Sequence, residues 1–156
     1  MLNMADTGGR RNEKPLTEEQ FNQAKDYAVS LGMPSERIRS SDYSPTNYLG
    51  GVLDTLTIGT DVLPIGVRSK NPNDNISLKG GIAHEVVGHR EADKKGRTIS
   101  DSVPLNEAQA SIRAARFASD LSDRERMDLI RDAITRLRKA GISVRSVKSQ
   151  MFIDER

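Results

Sequence analysis

The sequence predicts a small α+β domain, mostly helical, with a short sheet to one side. Three observations lead there. Four stretches carry helix patterns, one β-branched run alternates Leu and Ile against Thr, and 156 residues suit a single core. The polar, basic stretch 1–14, with Gly8-Gly9-Arg10-Arg11 at its middle, reads as a loose leader, leaving 15–156 as the domain.

The first helix opens at Thr17, an N-cap with Gln20 three positions on, which together make a capping box. Leu16 and Phe21 are spaced for a hydrophobic staple. Phe21, Ala24, Ala28 and Leu31 form its apolar stripe, and Gly32 with Pro34 ends it. Residues 35–46 are polar and read as a loop. The run 52–59 (Val-Leu-Asp-Thr-Leu-Thr-Ile-Gly) reads as a strand, and 62–67 as a second one that Pro64 confines to an edge.

A second helix is expected from about Ser77 to Lys95, stopped by Gly96. A third follows from the Ser102 N-cap, with Pro104 in its first turn, to about Ser119. Its Ala108, Ser111, Ala114 and Ala115 make a small-residue face that lets a neighbouring backbone approach. Ser122 and Glu125 form another capping box, opening a helix with Met127, Ile130, Ile134 and Leu137 on one face and Gly141 beyond its end. The tail 142–153 alternates weakly and suits either a strand or a short helix.

Composition removes several functions. There is no cysteine, so no disulfide framework, thiolate metal site or cysteine nucleophile exists. A net charge of +2 is too mild to argue for nucleic-acid or membrane binding, and no apolar run is long enough to span a bilayer. The N-terminus lacks the apolar stretch of a signal peptide. The expectation is therefore a cytoplasmic protein, or a domain secreted or delivered as part of a larger one.

The chemistry converges on residues 80–90. The only two histidines, His84 and His89, are five apart, and Glu85 follows the first. Neutral imidazole is the commonest protein ligand for zinc, and an adjacent carboxylate can take the proton of a metal-activated water. In the common zinc-peptidase signature the histidines are four apart and share a helix face. A five-residue step turns the second ring roughly 140° away from the first in a regular helix. A one-residue π-bulge would bring His89 back into register, and Gly88 makes that distortion cheaper. Otherwise Glu85 and His89 share the face and His84 points elsewhere.

His84-Glu85-Val86-Val87-Gly88-His89 resembles the HEXXGH motif of the dipeptidyl peptidase III family of zinc peptidases. Asn106-Glu107-Ala108-Gln109-Ala110-Ser111 is similar to that family's second motif, although Asn106 stands where the pattern has its first glutamate. The resemblance implies a zincin-like domain in which His84, His89 and Glu107 bind zinc and Glu85 is the general base. It spans about 30 residues. The same stretch, with Ile112-Arg113-Ala114-Ala115 following, resembles C-terminal domains of Rhs-type polymorphic toxins. That implies an effector released from a larger secreted protein and a cognate immunity protein as partner.

A peptidase acting on a protein or peptide also needs a group to stabilise the oxyanion. Tyr43, Tyr48, Arg90 and Arg113 are the candidates. The strand 52–59 is placed to pair with an extended substrate, and Asp54 and Asp61 to orient a ligand histidine. Two other readings stay open: a metal-dependent nuclease toxin, which the basic pI and the arginine-rich segment 124–138 permit although that run is expected to be a solvated helix face, and a non-catalytic domain whose zinc only joins two helices.

Overall fold

The structure is a computed structural model that describes residues 12–99 and 102–156. Residues 1–11 of the expected leader and positions 100–101 lie outside the described residues. Asn12 is not loose: its backbone N–H donates to the Leu63 carbonyl at 3.3 Å and its side chain to that of Thr60 at 3.2 Å.

Helix α1 (Glu18–Ser30) starts with the expected capping box between Thr17 and Gln20, and it buries Ala24, Tyr27 and Ala28. Three short strands follow: β1 (Ile38–Ser41), β2 (Asn47–Leu49) and β3 (Thr55–Gly59). They form one sheet in the order β1-β3-β2, with β1 parallel to β3 and β2 antiparallel to it. Ile38 pairs with Leu56 on one side of β3, and Tyr48 pairs with the same residue on the other.

This sheet corrects three expectations. The region 35–46 contains β1, whose centre is exposed and so leaves no apolar alternation to read. The strand expected over 52–59 begins only at Thr55, because Gly51 turns the chain with a positive φ and Val52 and Leu53 face solvent. The second strand expected over 62–67 is absent. The chain passes instead through a 3₁₀ turn (Thr60–Val62), after which Pro64 follows. Because β3 is paired on both sides, it cannot accept a substrate strand; β2 is the edge strand on its side of the sheet.

The second helix is continuous but not uniform. It begins as α2 (Leu78–Ala83), capped by Ser77, becomes π-helical over His84–Arg90, and ends as α3 (Glu91–Lys94). Helix α4 (Val103–Phe117) has the expected Ser102 cap, and α5 (Asp123–Lys139) the expected capping box. The tail is a short helix, α6 (Val144–Val147), and a 3₁₀ turn.

Two apolar clusters share α4 and α5. One packs α1, β3 and the Ile82, Ala83, Val86 and Val87 side chains against Ala114, Ala115 and Leu129. The other packs Leu105, Ala108 and Ile112 against Ala133, Leu137 and the tail residues Val147, Met151 and Ile153. The buried face of α5 keeps the expected Leu137, and Ile130 packs against both clusters, but the rest of it is shifted to neighbouring positions. Met127 is exposed, while Asp128, Leu129, Asp132 and Ala133 are buried. The two aspartates are held by arginines, Asp128 by Arg68 and Asp132 by Arg136, which is why they can sit inside.

Candidate metal centre

The π-helical segment sets the position of both histidines. In i→i+5 geometry, positions five apart return to one face, so His84 and His89 lie side by side. Their ring centroids are 4.8 Å apart with the rings nearly perpendicular. Both Nε2 atoms meet one carboxylate from α4: His84 Nε2 is 3.1 Å from Glu107 Oε1, and His89 Nε2 is 3.0 Å from Oε2. Ligand atoms of the three residues lie within 4.8 Å of one another. Two imidazoles and a carboxylate are the donor set of a catalytic zinc site with an open fourth position. This group could hold a metal ion, and its chemistry fits one.

Close packing of two backbones makes the meeting possible. A Cβ built on Gly88 would lie 2.6 Å from Ala110 Cα and 2.7 Å from Ala110 Cβ. Gly88 therefore serves contact with α4 as well as helix distortion. On the α4 side the residue is Ala110, which lies outside the small face of Ala108, Ser111, Ala114 and Ala115 expected from the sequence. Asn106 ties the preceding link to α4: it accepts from the Ile99 N–H at 2.7 Å and donates to the Ile99 carbonyl. That anchors the turn from which Glu107 reaches the histidines, and it gives a use for asparagine at this position.

Electrostatics in the cluster reflect its crowding. Burial by itself would lower the His89 pKa, but the Glu107 carboxylate, by charge and hydrogen bond, and then Glu85 raise it to about 9. Burial opposes ionisation of Glu107, yet the two imidazoles hold it well below the usual carboxylate range. Glu85 is shifted upward, chiefly by burial and against the pull of both histidines. Glu85 lines two clefts that share Glu107 as well. One runs past Thr46, Asp61, Asn73 and Arg136. The other runs along β2, past Asn47, Tyr48, Asp93 and Thr98.

The structure distributes the remaining candidates differently. Tyr43 is 98% exposed, away from both clefts. Tyr48 lines the β2 cleft, but its hydroxyl donates to Asp54 at 2.6 Å, and its pKa is raised first by burial and then by that bond. Arg90 grips the same Asp54 through Nε at 2.8 Å and Nη2 at 3.2 Å. Arg113 is fully buried, donating to the carbonyls of Phe152 and Glu155 and stacking on Phe117, so it anchors the tail. Asp54 belongs to the Arg90, Tyr48 and Lys94 network and makes no bond to a histidine. Asp61 accepts from the N–H and the hydroxyl of Thr46, both at 2.7 Å.

Three residues absent from the sequence reading of the site stand closer. Ser111 lies 2.9 Å from His84 Nδ1 and donates to Asp132 at 2.7 Å, and Asp132 in turn accepts from Arg136. Arg136 is 17% exposed in its side chain and lines the cleft, so it is no solvated-face arginine. The signal for Ser111 is its place one helical turn beyond Glu107, on the same side of α4, as a hydroxyl among the alanines of the small face. Among the described residues no helix is long and apolar enough to cross a membrane. No family model, curated protein or solved structure matches the chain.

Proposed function

We propose that the protein is a zinc-dependent peptidase with a zincin-like site. The observation that carries this is the π-helical register: it brings two histidines five apart onto one carboxylate, with a second carboxylate, Glu85, lining the adjoining clefts. His84, His89 and Glu107 would hold the metal. When bound in such a site, zinc supplies a Lewis acid and brings the pKa of a coordinated water to about 7.

The chain's own residues supply the rest. Glu85 accepts the proton of the attacking water on a carboxylate oxygen and passes it to the departing amine. Its upward-shifted pKa suits a group that must both take and release that proton. The edge strand β2, along the cleft that Glu85 shares, offers backbone groups to an extended peptide. Arg136, paired with Asp132, lines the other cleft and adds positive charge to it.

The test is the metal content of the protein beside His89→Ala and Glu107→Ala, followed by hydrolysis of a fluorogenic peptide library by wild type and Glu85→Gln. The expected result is about one zinc per chain, lost in both ligand variants, with Glu85→Gln retaining zinc and losing cleavage. A wild type that binds no zinc refutes the site. Equal cleavage by Glu85→Gln refutes the role of the base, and zinc without any cleavage favours a structural ion.

A further inference from the structure

We infer that Asp132, acting through the Ser111 hydroxyl, is the positioning residue that holds His84 with its proton on Nδ1 and its Nε2 lone pair toward the metal position. The inference rests on the metal site proposed above. It follows from counting donors. A serine hydroxyl has one proton. Asp132 is 2% exposed and bonded to the Arg136 guanidinium at 3.0 and 3.1 Å, so its carboxylate only accepts. The 2.7 Å contact between Ser111 Oγ and Asp132 Oδ2 therefore uses the hydroxyl proton. Toward His84, 2.9 Å away, the same oxygen can only accept, and Nδ1 must donate.

Everything along this line is buried. Ser111 is fully buried, one turn beyond Glu107 on α4, so a single helix supplies both the ligand carboxylate and the support for His84. Asp132 comes from α5 and is further held by Asn73 at 3.5 Å and by Arg136, its neighbour one turn on. Metal-bound histidines ordinarily give their second N–H to a carboxylate or carbonyl directly. Here a hydroxyl is interposed, and it transmits the carboxylate's demand for a proton to the ring. Among the described residues His89 has no comparable partner on its other nitrogen, so His84 is the more firmly oriented of the pair.

Zinc affinity, measured by competition with a chromophoric chelator, tests this in the full chain for wild type, Ser111→Ala, Ser111→Thr and Asp132→Asn. Two further readouts separate positioning from folding: the melting temperature of the metal-free protein, and the exchange rate of the His84 Nδ1 proton in the zinc-loaded protein by NMR. Ser111→Ala is expected to lose about tenfold to a hundredfold in zinc affinity. Its Nδ1 proton should exchange fast, while Ser111→Thr, which keeps the hydroxyl, restores both. Should Ser111→Ala not fold, Asp132→Asn carries the same expectation in smaller degree, because an amide no longer demands the hydroxyl proton. Wild-type affinity and slow Nδ1 exchange in Ser111→Ala, or in Asp132→Asn where that variant stands in, would overturn the relay while leaving the metal site intact. A wild type that binds no zinc at all would overturn both.

Discussion

Substituting Gly88 by alanine isolates the contact on which the proposed metal centre depends. The added Cβ would stand 2.6 Å from Ala110 Cα and 2.7 Å from Ala110 Cβ. Carbon atoms rest about 3.5–4.0 Å apart, so the π-helical segment and α4 must separate by about 1 Å. Both partners are backbone-borne, and no side chain can swing aside. Overpacking of this kind costs about 1–3 kcal/mol, and a loss near 2 would lower the melting temperature by roughly 4–8 °C in a domain of this size. A binding constellation tolerates about 0.5 Å of misplacement, so zinc affinity should fall by about tenfold or more. Gly81→Ala is the internal control. Its Cβ would meet Val62 at 3.7 Å, an ordinary contact, and alanine favours the helix by up to about 1 kcal/mol. Thermal melts and chelator competition on both variants decide the matter. Wild-type stability and zinc affinity in Gly88→Ala, or equal damage in Gly81→Ala, would refute the close-approach argument.

Two further outcomes are expected. The hydrogen bond from Arg90, against the cost of burial and with help from Tyr48 and Lys94, holds the Asp54 carboxyl far below the usual range. A depressed carboxylate contributes stability above its unfolded pKa, about 3.9, and loses it as pH falls through the folded value. Asp54→Asn tolerates the positive φ at this position, so the gap in urea stability between it and wild type should be widest above pH ~5 and narrow steadily below pH ~4; a gap independent of pH would exclude the charge as its source. Ser122→Ala removes the N-cap bond to the Glu125 N–H at 3.1 Å and should cost about 0.5–2 kcal/mol by urea titration, with zinc binding unchanged.

What the sequence made legible was local. Thr17 with Gln20 and Ser122 with Glu125 announce helix starts because a capping box needs only residues three apart. The five-residue step between the histidines admitted two geometries, and the fold adopts the π-helical one. Contacts across the fold were less readable. Strand β1 is too exposed for an alternating pattern, and its pairing with β3 comes from far along the chain. The burial of Asp132 was hidden because an aspartate on an arginine-rich helix looks like surface until its partners, Ser111 from another helix and Arg136 from the next turn, are placed. Arg90 and Tyr48 are oxyanion candidates in the sequence, and only the fold assigns them to Asp54.

The extra residue in the histidine helix has a reach beyond the histidines. One residue inserted in a helix rotates all that follows by about 100° relative to an uninterrupted α-helix. Arg90 and Lys94 then point at Asp54, Asp93 accepts from the Gly51 N–H at 3.2 Å, and Glu91 meets Arg156 at 2.9 Å. The hairpin between β2 and β3 and the C-terminal tail are thus fastened to the same phase that aligns the two histidines. Shortening the segment by one residue would not simply convert it into the more familiar four-residue spacing. It would unfasten both flanks at once, so the wide helical turn works as a keyway for the whole domain.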